Sequence, residues 1–550
     1  MALSTTPSFS ALELRENDVA RLAWAGWVAL FGLFSAIWPR DAGFDVLHYQ
    51  LHNGWSAYYG RLGTDLAPAE MHSFLNPAYN LGVWWLIEHL PGRGVAFVLG
   101  AVQALTLPAL YLLIRRLAAA CDLELGWRTA LVLAGLGFVA APSFAMLASV
   151  RNDDLGALAI VTGLALALPA RGETAPQRLW LIVGAALVGA AAGMKLTNII
   201  YVASFAAFVL VSASTWTDRL QRGAICAAAG ATAFALLAGP WMWTMWQTFG
   251  NPVFPNMSGL FPSDIPVEAN RDTRYLPNGL IEALGLPLAA SVVGKLINEF
   301  AVIDFRLALS YLGALSILLQ LAKSEKLPRA AIAIMAATLV LFSVWVSMFS
   351  IQRYAMAIWL IGPAMAWFAF KLRWPQLQLE PRKAWTYGGA GAAALLITTS
   401  PESNRRVDWS SWSEAYVEIE RPADLSYDGA LILTASQFPA GFTAAAFPEA
   451  TIAHVDAQAW SAPFLLGYRP RIDAAIARHD GPIYLVHCWP KVIRRAPPAE
   501  PIRDAYSAEV VLENLGEAAG FRRTDAPCLE LKTNLDSENI SWRICPVEAD

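Results

Sequence analysis

The chain has 550 residues, of which 56% are hydrophobic and only 15% are charged, and its mean hydropathy is +0.42. Soluble domains carry about 25% charged residues, so this composition excludes an ordinary soluble enzyme and indicates a polytopic helical membrane protein. The net charge of −4 gives no basic excess of the kind that favours nucleic acid as a partner.

Apolar runs predict about eleven transmembrane helices within residues 1–400. The polar segment before residue 22 has mixed charge, and no small-residue cleavage site follows Trp38, so the first span is expected to be a retained helix. Two shorter apolar segments, 76–90 and 288–300, are expected to lie in the membrane interface. The predicted spans are 22–38, 95–114, 129–149, 155–170, 179–194, 196–211, 224–246, 301–321, 330–349, 354–370 and 387–397.

Basic residues cluster in every second connection between these spans. By the positive-inside rule, those connections and the N-terminus face the cytoplasm. The other connections then face outward, including a first loop at 39–92 and a long loop at 249–300. The basic connections are 115–128, 171–178, 219–222, 323–329 and 371–383.

The region 401–550 is more charged and alternates strand-like with helical segments, which predicts a soluble α/β domain outside the membrane. The five cysteines include no CxxC pair, which argues against a metal or redox centre. Cys528 and Cys545 either pair or remain free thiols, and the sequence leaves both open. The expected strands are 430–435, 451–455, 482–488, 528–532 and 540–546.

The predicted topology places acids and bases from distant parts of the chain on the outer face. Asp45 and His48 follow the first span, and Asp153 and Asp154 follow the third. Lys195 joins the fifth and sixth spans, and Arg353 and Tyr354 precede the tenth. Convergence of such residues on one membrane surface is typical of a functional site.

Seven short stretches, in this order over residues 20–400, resemble the GT-C glycosyltransferases. These multispanning enzymes use polyprenyl-phosphate-linked sugars and include the protein O-mannosyltransferase and aminoarabinose transferase types. Two departures are that Asp45 lacks an adjacent second acid and that Gln50 stands where relatives often have His. The stretches are FDVLHY (44–49), SFLNPAY (73–79), RNDDL (151–155), AGMKLT (192–197), GPW (239–241), GNPVFP (250–255) and QRY (352–354).

The resemblance implies an inverting transfer of a sugar to a glycan, lipid or protein acceptor. Asp45 is the expected base, with a pKa raised by a partly dry site. Arg353 and Lys195 are expected to hold the lipid phosphate, because guanidinium and ammonium groups bind its negative charge. Asp153 and Asp154 are further catalytic candidates. The expected substrate-binding residues are His48, Tyr49, His72, Asn251 and Tyr354; no metal ligands and no cofactor are indicated.

Each assignment has a structural alternative. Asp45 could pair with Arg40, one of Asp153 and Asp154 could cap the fourth span, and Lys195 or Arg353 could be interfacial anchors.

Other functions also fit the same sequence. They are a transporter or flippase of lipid-linked sugars, for which Arg306 is the main indication, an O-antigen-ligase-like glycan transferase, and a noncatalytic envelope assembly protein. The expected location is a bacterial inner membrane with a periplasmic C-terminal domain.

Overall fold

The computed structural model describes residues 9–170, 173, 175–263, 265, 272–298, 302–323, 325–377, 386, 389–395, 413–435, 440–456, 462–490, 516, 520–535 and 540–549. Up to residue 373 the described chain is a bundle of helices. They are α1 (Phe9–Ile37), α2 (Leu51–Tyr58), α3 (Ala78–His89), α4 (Gly92–Ala104), α5 (Thr106–Ala120), α6 (Trp127–Phe138), α7 (Ala141–Ala145), α8 (Asp153–Leu166), α9 (Arg178–Met194), α10 (Ile199–Ser212), α11 (Trp216–Phe249), α12 (Leu280–Val292), α13 (Arg306–Ala322), α14 (Arg329–Met348) and α15 (Met356–Arg373).

The apolar helices make the chain an integral membrane protein. Four helical segments of the described chain are long and apolar enough to cross a membrane, and six others of 10–17 residues are apolar but shorter. The number of spans near eleven therefore stays a prediction. Of the last expected span, 387–397, the structure describes residues 389–395, which are helical. The four long segments are Gly92–Ala120, Trp216–Phe249, Arg329–Met348 and Gln352–Arg373.

Two predicted helices have different limits, and proline explains both differences. The expected span 129–149 ends as helix α6 at Phe138, because Pro142 cannot continue a helix and instead stands in the first turn of α7. The expected interfacial helix at 288–300 is α12, which begins at Leu280. The predicted segment begins directly after Pro287, but Pro287 lies inside this helix, where Ser291 Oγ donates to the Pro287 carbonyl oxygen at 2.8 Å.

The C-terminal domain is built on one mixed sheet. Its strands run in the order β1-β6-β7-β4-β2-β3, and β5 pairs with β7. The neighbours β3, β2 and β4 are parallel, whereas β7 is antiparallel to β4, β5 and β6. The expected strands all occur; β1 and β5 were missed because they have two and three residues. The strands are β1 (Ile419–Glu420), β2 (Leu431–Ala435), β3 (Thr451–His454), β4 (Ile483–Pro490), β5 (Phe521–Arg523), β6 (Leu529–Thr533) and β7 (Ile540–Ala549), with helix α16 (Ala462–Ala477) between β3 and β4.

Cys528 and Cys545 form a disulfide within this domain. The bond joins the segment before β6 to β7. Of the two alternatives left open by the sequence, the structure has the paired one.

The segment between α1 and α4 is hydrogen-bonded to the C-terminal domain at several positions. Leu66 extends the sheet beside β3, where its N–H donates to the Ile452 carbonyl at 2.7 Å. Arg40 is buried, and its guanidinium donates to the carbonyl oxygens of Tyr416 (2.5 Å) and Asn534 (2.6 Å). The first loop and the C-terminal domain therefore form one continuous packed body.

Gly441 lies at a close approach of the first loop and the C-terminal domain. It begins a short helical turn, Gly441–Ala446, and a Cβ added to it would overlap the backbone carbonyl oxygen of His48. Only a residue without a side chain fits at this contact, because the opposing atom belongs to the backbone and cannot rotate away.

Gly441→Ala is expected to lower the free energy of unfolding of the full chain by about 1–3 kcal/mol, because overpacking forces a backbone shift. Thermal unfolding of the purified protein in detergent measures the change. Gly82→Ala is the matched control, because Gly82 lies within α3 and has no neighbouring atom within 4 Å of an added Cβ. Equal melting temperatures for both variants would contradict this account of the interface.

Candidate active site

Asp45 stands at the start of a buried helical segment that follows α1. The backbone makes one wide, π-helical turn at Val46–Gln50 and continues directly into α2. Such turns are frequent at functional sites, because the extra residue redirects the neighbouring side chains. Asp45 is only 7% exposed, so its carboxylate requires a partner.

That partner is Arg353, which lies 308 positions later in the chain. Nη1 of Arg353 is 2.6 Å from Oδ2 of Asp45, and Nη2 is 3.4 Å from Oδ1. The Arg353 side chain is 29% exposed and the Asp45 side chain 9%. The Arg353 side chain is therefore the more accessible member of the pair. The alternative pairing of Asp45 with Arg40 is wrong, since Arg40 bonds to the C-terminal domain.

Arg353 is held by the short helical turn Gln352–Ala355, which leads into α15. Three hydrogen bonds fix the two residues before Arg353, so its backbone is anchored while its side chain stays partly open. They run from Trp345 Nε1 to Ile351 O (2.8 Å), from Gln352 N to Ile297 O (2.9 Å) and from Asn298 Nδ2 to Gln352 Oε1 (2.6 Å).

A second ion pair, Lys195 with Asp153, lies beside the first. Lys195 Nζ is 2.6 Å from Asp153 Oδ1. The Tyr354 ring stands between the two cations, 5.0 Å from Lys195 Nζ and 5.5 Å from the Arg353 guanidinium carbon. Both distances suit a cation–π contact. Lys195 has a definite partner, which a lysine that only extends to the interface would lack.

The positive charges around Asp45 decide its ionisation. Burial alone would raise the pKa of Asp45, but Arg353, Arg151 and Lys195 together lower it below its ordinary value of 3.8. The prediction of a raised pKa was therefore wrong. That prediction rested on the burial of the Asp45 carboxylate alone. The sequence does not show that three cations from separate segments lie near this carboxylate.

Arg151 and Asp41 belong to the same cluster, although the sequence analysis did not select them as site residues. Arg151 Nε lies 2.9 Å from Asp41 Oδ2, and both residues are almost completely buried. The available signal was position, because Asp41 follows the first span and Arg151 opens the RNDDL stretch. A buried pair of this kind fixes the geometry of the segments that carry it.

His48, Tyr49 and His72 form an aromatic wall on the first loop. Tyr49 stacks on His72 with ring centroids 4.8 Å apart, and the His48 ring is 5.2 Å from that of His72. Burial lowers the pKa of His72 to about 4, despite the opposing effects of Glu70 and Asp45, and burial also lowers the pKa of His48. Both imidazoles are therefore neutral at pH 7.

Asn251 is not part of this cluster. Its side chain donates to the Asn256 carbonyl at 2.8 Å and accepts from the Val253 N–H at 2.9 Å, so it closes a local turn. The predicted substrate-binding role thus has no geometric support.

Asp154 also points elsewhere. Asp153 and Asp154 both lie in the first turn of α8, where the helix dipole favours acidic residues. Asn152 is the residue that precedes this helix. Asp154 lines a separate cavity of about 10 Å³, room for about one water molecule. Gln103, Thr106 and Ser143 complete the polar part of the cavity wall.

Three segments that carry cluster residues pass through unusual backbone conformations. Glu70, Ala148 and Ser350 have φ values of 50°, 52° and 51°, which are unfavourable for residues with side chains. Glu70 precedes His72 by two residues, Ala148 precedes Arg151 by three, and Ser350 precedes Arg353 by three. Strain of this kind persists only where the surroundings fix the chain, as they do here.

Within the described residues, one group of three metal-ligating side chains has its ligand atoms close together: His487, Cys528 and Cys545. The two cysteines form the disulfide, so their sulfurs are not available as thiolates. This group therefore does not constitute a metal centre.

Comparison with known proteins gives matches among solved structures. ArnT from Cupriavidus metallidurans bound to undecaprenyl phosphate matches with 13% identity and a TM-score of 0.43, over 95% of this chain and 97% of ArnT. The oligosaccharyltransferase of Archaeoglobus fulgidus, tethered with an acceptor peptide, matches with 11% identity and a TM-score of 0.42, over 84% of this chain and 68% of that protein. Both matches extend over most of this chain at low sequence identity. No family model and no curated protein matches the chain.

The lowered pKa of Asp45 gives a pH-dependent stability with a definite sign. The ion pair with Arg353 contributes fully above the ordinary pKa of 3.8, and its contribution is lost as the pH falls through the lower pKa of the folded state. The melting temperature of the protein should therefore exceed that of Asp45→Asn at pH 7, and the difference should shrink as acidification below the ordinary pKa of 3.8 protonates Asp45. A difference that stays constant until both proteins unfold in acid would contradict the pairing.

Proposed function

We propose that this protein is a membrane glycosyltransferase that moves a sugar from a polyprenyl-phosphate carrier to an acceptor on the extracytoplasmic face of the membrane. The observation that carries the proposal is the cluster in which Asp45 contacts Arg353 beside the Lys195–Asp153 pair. It combines buried carboxylates with partly exposed cations at the ends of apolar helices. A lipid phosphate and a hydroxyl acceptor require such a combination.

Arg353 and Lys195 are suited to hold the phosphate of the donor. A guanidinium binds phosphate oxygens through two parallel hydrogen bonds, and an ammonium adds a point charge. Phosphate leaves as a stable anion, so the leaving group needs positive charge rather than a strong acid. The Tyr354 ring lies within cation–π distance of both cations.

Asp45 is suited to accept the proton of the acceptor hydroxyl. In one displacement, the acceptor oxygen bonds to the anomeric carbon, the bond from that carbon to the phosphate oxygen breaks, and the hydroxyl proton passes to Asp45. Polyprenyl phosphate leaves with both bonding electrons. Attack opposite the leaving group inverts the anomeric centre.

Donor binding would also activate this base. Without donor, Arg353 is neutralised by Asp45 and Lys195 by Asp153, so the donor phosphate must compete with a carboxylate for each cation. When the phosphate takes Arg353, the carboxylate of Asp45 loses its nearest cation and becomes more basic. The base is then strongest only when the sugar to be transferred is present.

Arg306, which favoured a transporter in the sequence analysis, has a different setting. It begins α13, lies 3.0 Å from Asp304 and donates to the Leu136 carbonyl at 2.5 Å. A charge fixed at a helix end by a buried partner differs from the exposed mid-helix charge expected along a transport path. A glycan ligase would use the same cations. It would differ from the proposed enzyme in its donor, which would be a lipid diphosphate.

The proposed location is a bacterial inner membrane with the C-terminal domain in the periplasm. The Cys528–Cys545 disulfide supports this side, since such bonds persist in oxidising compartments. The packing of the first loop against this domain requires both to lie on the same side of the membrane.

Asp45→Asn is expected to abolish sugar transfer and to tighten the binding of undecaprenyl phosphate. The amide cannot accept the proton, and Arg353 is released from its competitor. An ion pair of about 1 kcal/mol corresponds to about fivefold tighter binding. Binding of undecaprenyl phosphate to the purified full chain measures the second effect, and its release from a lipid-linked sugar pool in membrane extracts measures the first.

Arg353→Ala should weaken the binding of undecaprenyl phosphate, with partial recovery in Arg353→Lys. Asp473→Asn is the matched control, because it removes another aspartate paired with an arginine, Arg469, in the C-terminal domain. Normal transfer by Asp45→Asn, or equal lipid binding in the Arg353 variants and the control, would refute the proposal. Turnover of lipid diphosphate donors alone would favour the ligase.

A further inference from the structure

The Asp41–Arg151 pair lies behind the proposed catalytic cluster. Asp41 is completely buried and Arg151 is 5% exposed, with Arg151 Nε 2.9 Å from Asp41 Oδ2. Two buried charges of opposite sign cost several kcal/mol to desolvate, so a chain retains such a pair only where the geometry compensates for it. The pair lies between the segment that carries Asp45 and the segment that carries Asp153, and this position indicates its role.

Asp41 fixes the segment that carries Asp45. Its Oδ1 accepts the Gly43 N–H at 2.8 Å, which forms a tight turn, and the Gly43 carbonyl accepts the Leu47 N–H at 3.2 Å in the turn that contains Asp45. The Asp41 carboxylate therefore fixes the conformation of the segment that leads from α1 to Asp45.

The same carboxylate fixes the segment that carries Asp153. Its Oδ2 accepts from Ser149 Oγ at 2.7 Å in addition to Arg151. Arg151 also donates to the Ala145 carbonyl, so the residues immediately before α8 are held on both sides. One side chain thus joins the two segments that present Asp45 and the Asp153–Lys195 pair.

Arg151 also acts on Asp45 through its charge. Burial raises the pKa of Asp45, and Arg151 is, after Arg353, the next strongest of the cations that lower it. The groups that act on Asp45 are Arg353, Arg151, Lys195 and His72, and Tyr49 lies on the same wall. Because Asp41 neutralises Arg151, it limits how strongly this one cation acts.

We propose that Asp41 is a positioning residue of the transfer site. Through Arg151, it sets both the separation of Asp45 from the Asp153–Lys195 pair and the positive charge that Asp45 experiences. This inference rests on the proposed function, because it assigns Asp41 to the site in which Asp45 competes with a lipid phosphate for Arg353.

The test is the pH dependence of undecaprenyl phosphate binding by the full-length protein from about pH 5 downward, below the second ionisation of the phosphate. As the pH falls toward the lowered pKa of Asp45, protonation of Asp45 should free Arg353 and tighten binding. Arg151→Gln removes a cation, so the pH midpoint of binding should move up. Asp41→Asn leaves Arg151 uncompensated, so the midpoint should move down. The midpoint of the double variant should return close to that of the unaltered protein.

Shifts of opposite sign that cancel in the double variant would not result from a general loss of packing. Asp218→Asn and Arg222→Gln are the matched controls, because they disrupt another Asp–Arg pair, in the first turns of α11, and should leave the midpoint unchanged. If Asp41→Asn does not fold, Arg151→Gln and the double variant still differ in their predicted midpoints.

The role of Asp41 would be overturned if lipid binding depends on Arg353 but the pH midpoint does not shift in the Asp41 and Arg151 variants. Midpoint shifts of the same sign in both single variants would also overturn it. Failure of undecaprenyl phosphate to bind, or binding that ignores Arg353, would instead overturn the proposed function.

Discussion

The ion pair between Asp45 and Arg353 connects the two ends of the membrane domain. Asp45 follows the first helix and Arg353 precedes α15, so their contact at 2.6 Å closes the helical bundle around one polar cluster. Buried charges are costly unless they are paired, and this cost selects one arrangement of the loops over others of similar apolar packing. The Lys195–Asp153 and Asp41–Arg151 pairs apply the same constraint to the neighbouring segments, and together the three pairs hold acids and bases from four parts of the chain in one place.

The C-terminal domain extends this constraint to the outside of the bundle. Arg40 bonds to its backbone, and the adjacent Asp41 bonds to the segment before α8, so two consecutive residues join the domain to the cluster. Leu66 adds to its sheet edge, and Gly441 packs against the carbonyl of His48. These contacts support a role for the domain in fixing the first loop. They make its position part of the geometry of the site.

Most of the helices and strands could be predicted from the sequence, whereas fewer of the contacts in the candidate site could. Long apolar runs and alternating patterns predicted the helices and the main strands, because both depend on local periodicity. Asp45, Arg353, Lys195 and Asp153 were selected by their positions at the ends of spans. Pairing could not be predicted, since it depends on three-dimensional closeness: Asp41 and Arg151 were missed, Asn251 and Asp154 were included although they point elsewhere, and the pKa of Asp45 was given the wrong sign. Pro287 likewise shows that a local signal can be overridden by tertiary packing.

The most direct test of the account is an experimental structure of the full chain with undecaprenyl phosphate bound. The account predicts the phosphate in contact with Arg353 and Lys195, with the carboxylate of Asp45 released from the guanidinium and turned toward an open acceptor position. A phosphate bound away from both cations, or an intact Asp45–Arg353 contact beneath a bound lipid, would contradict it.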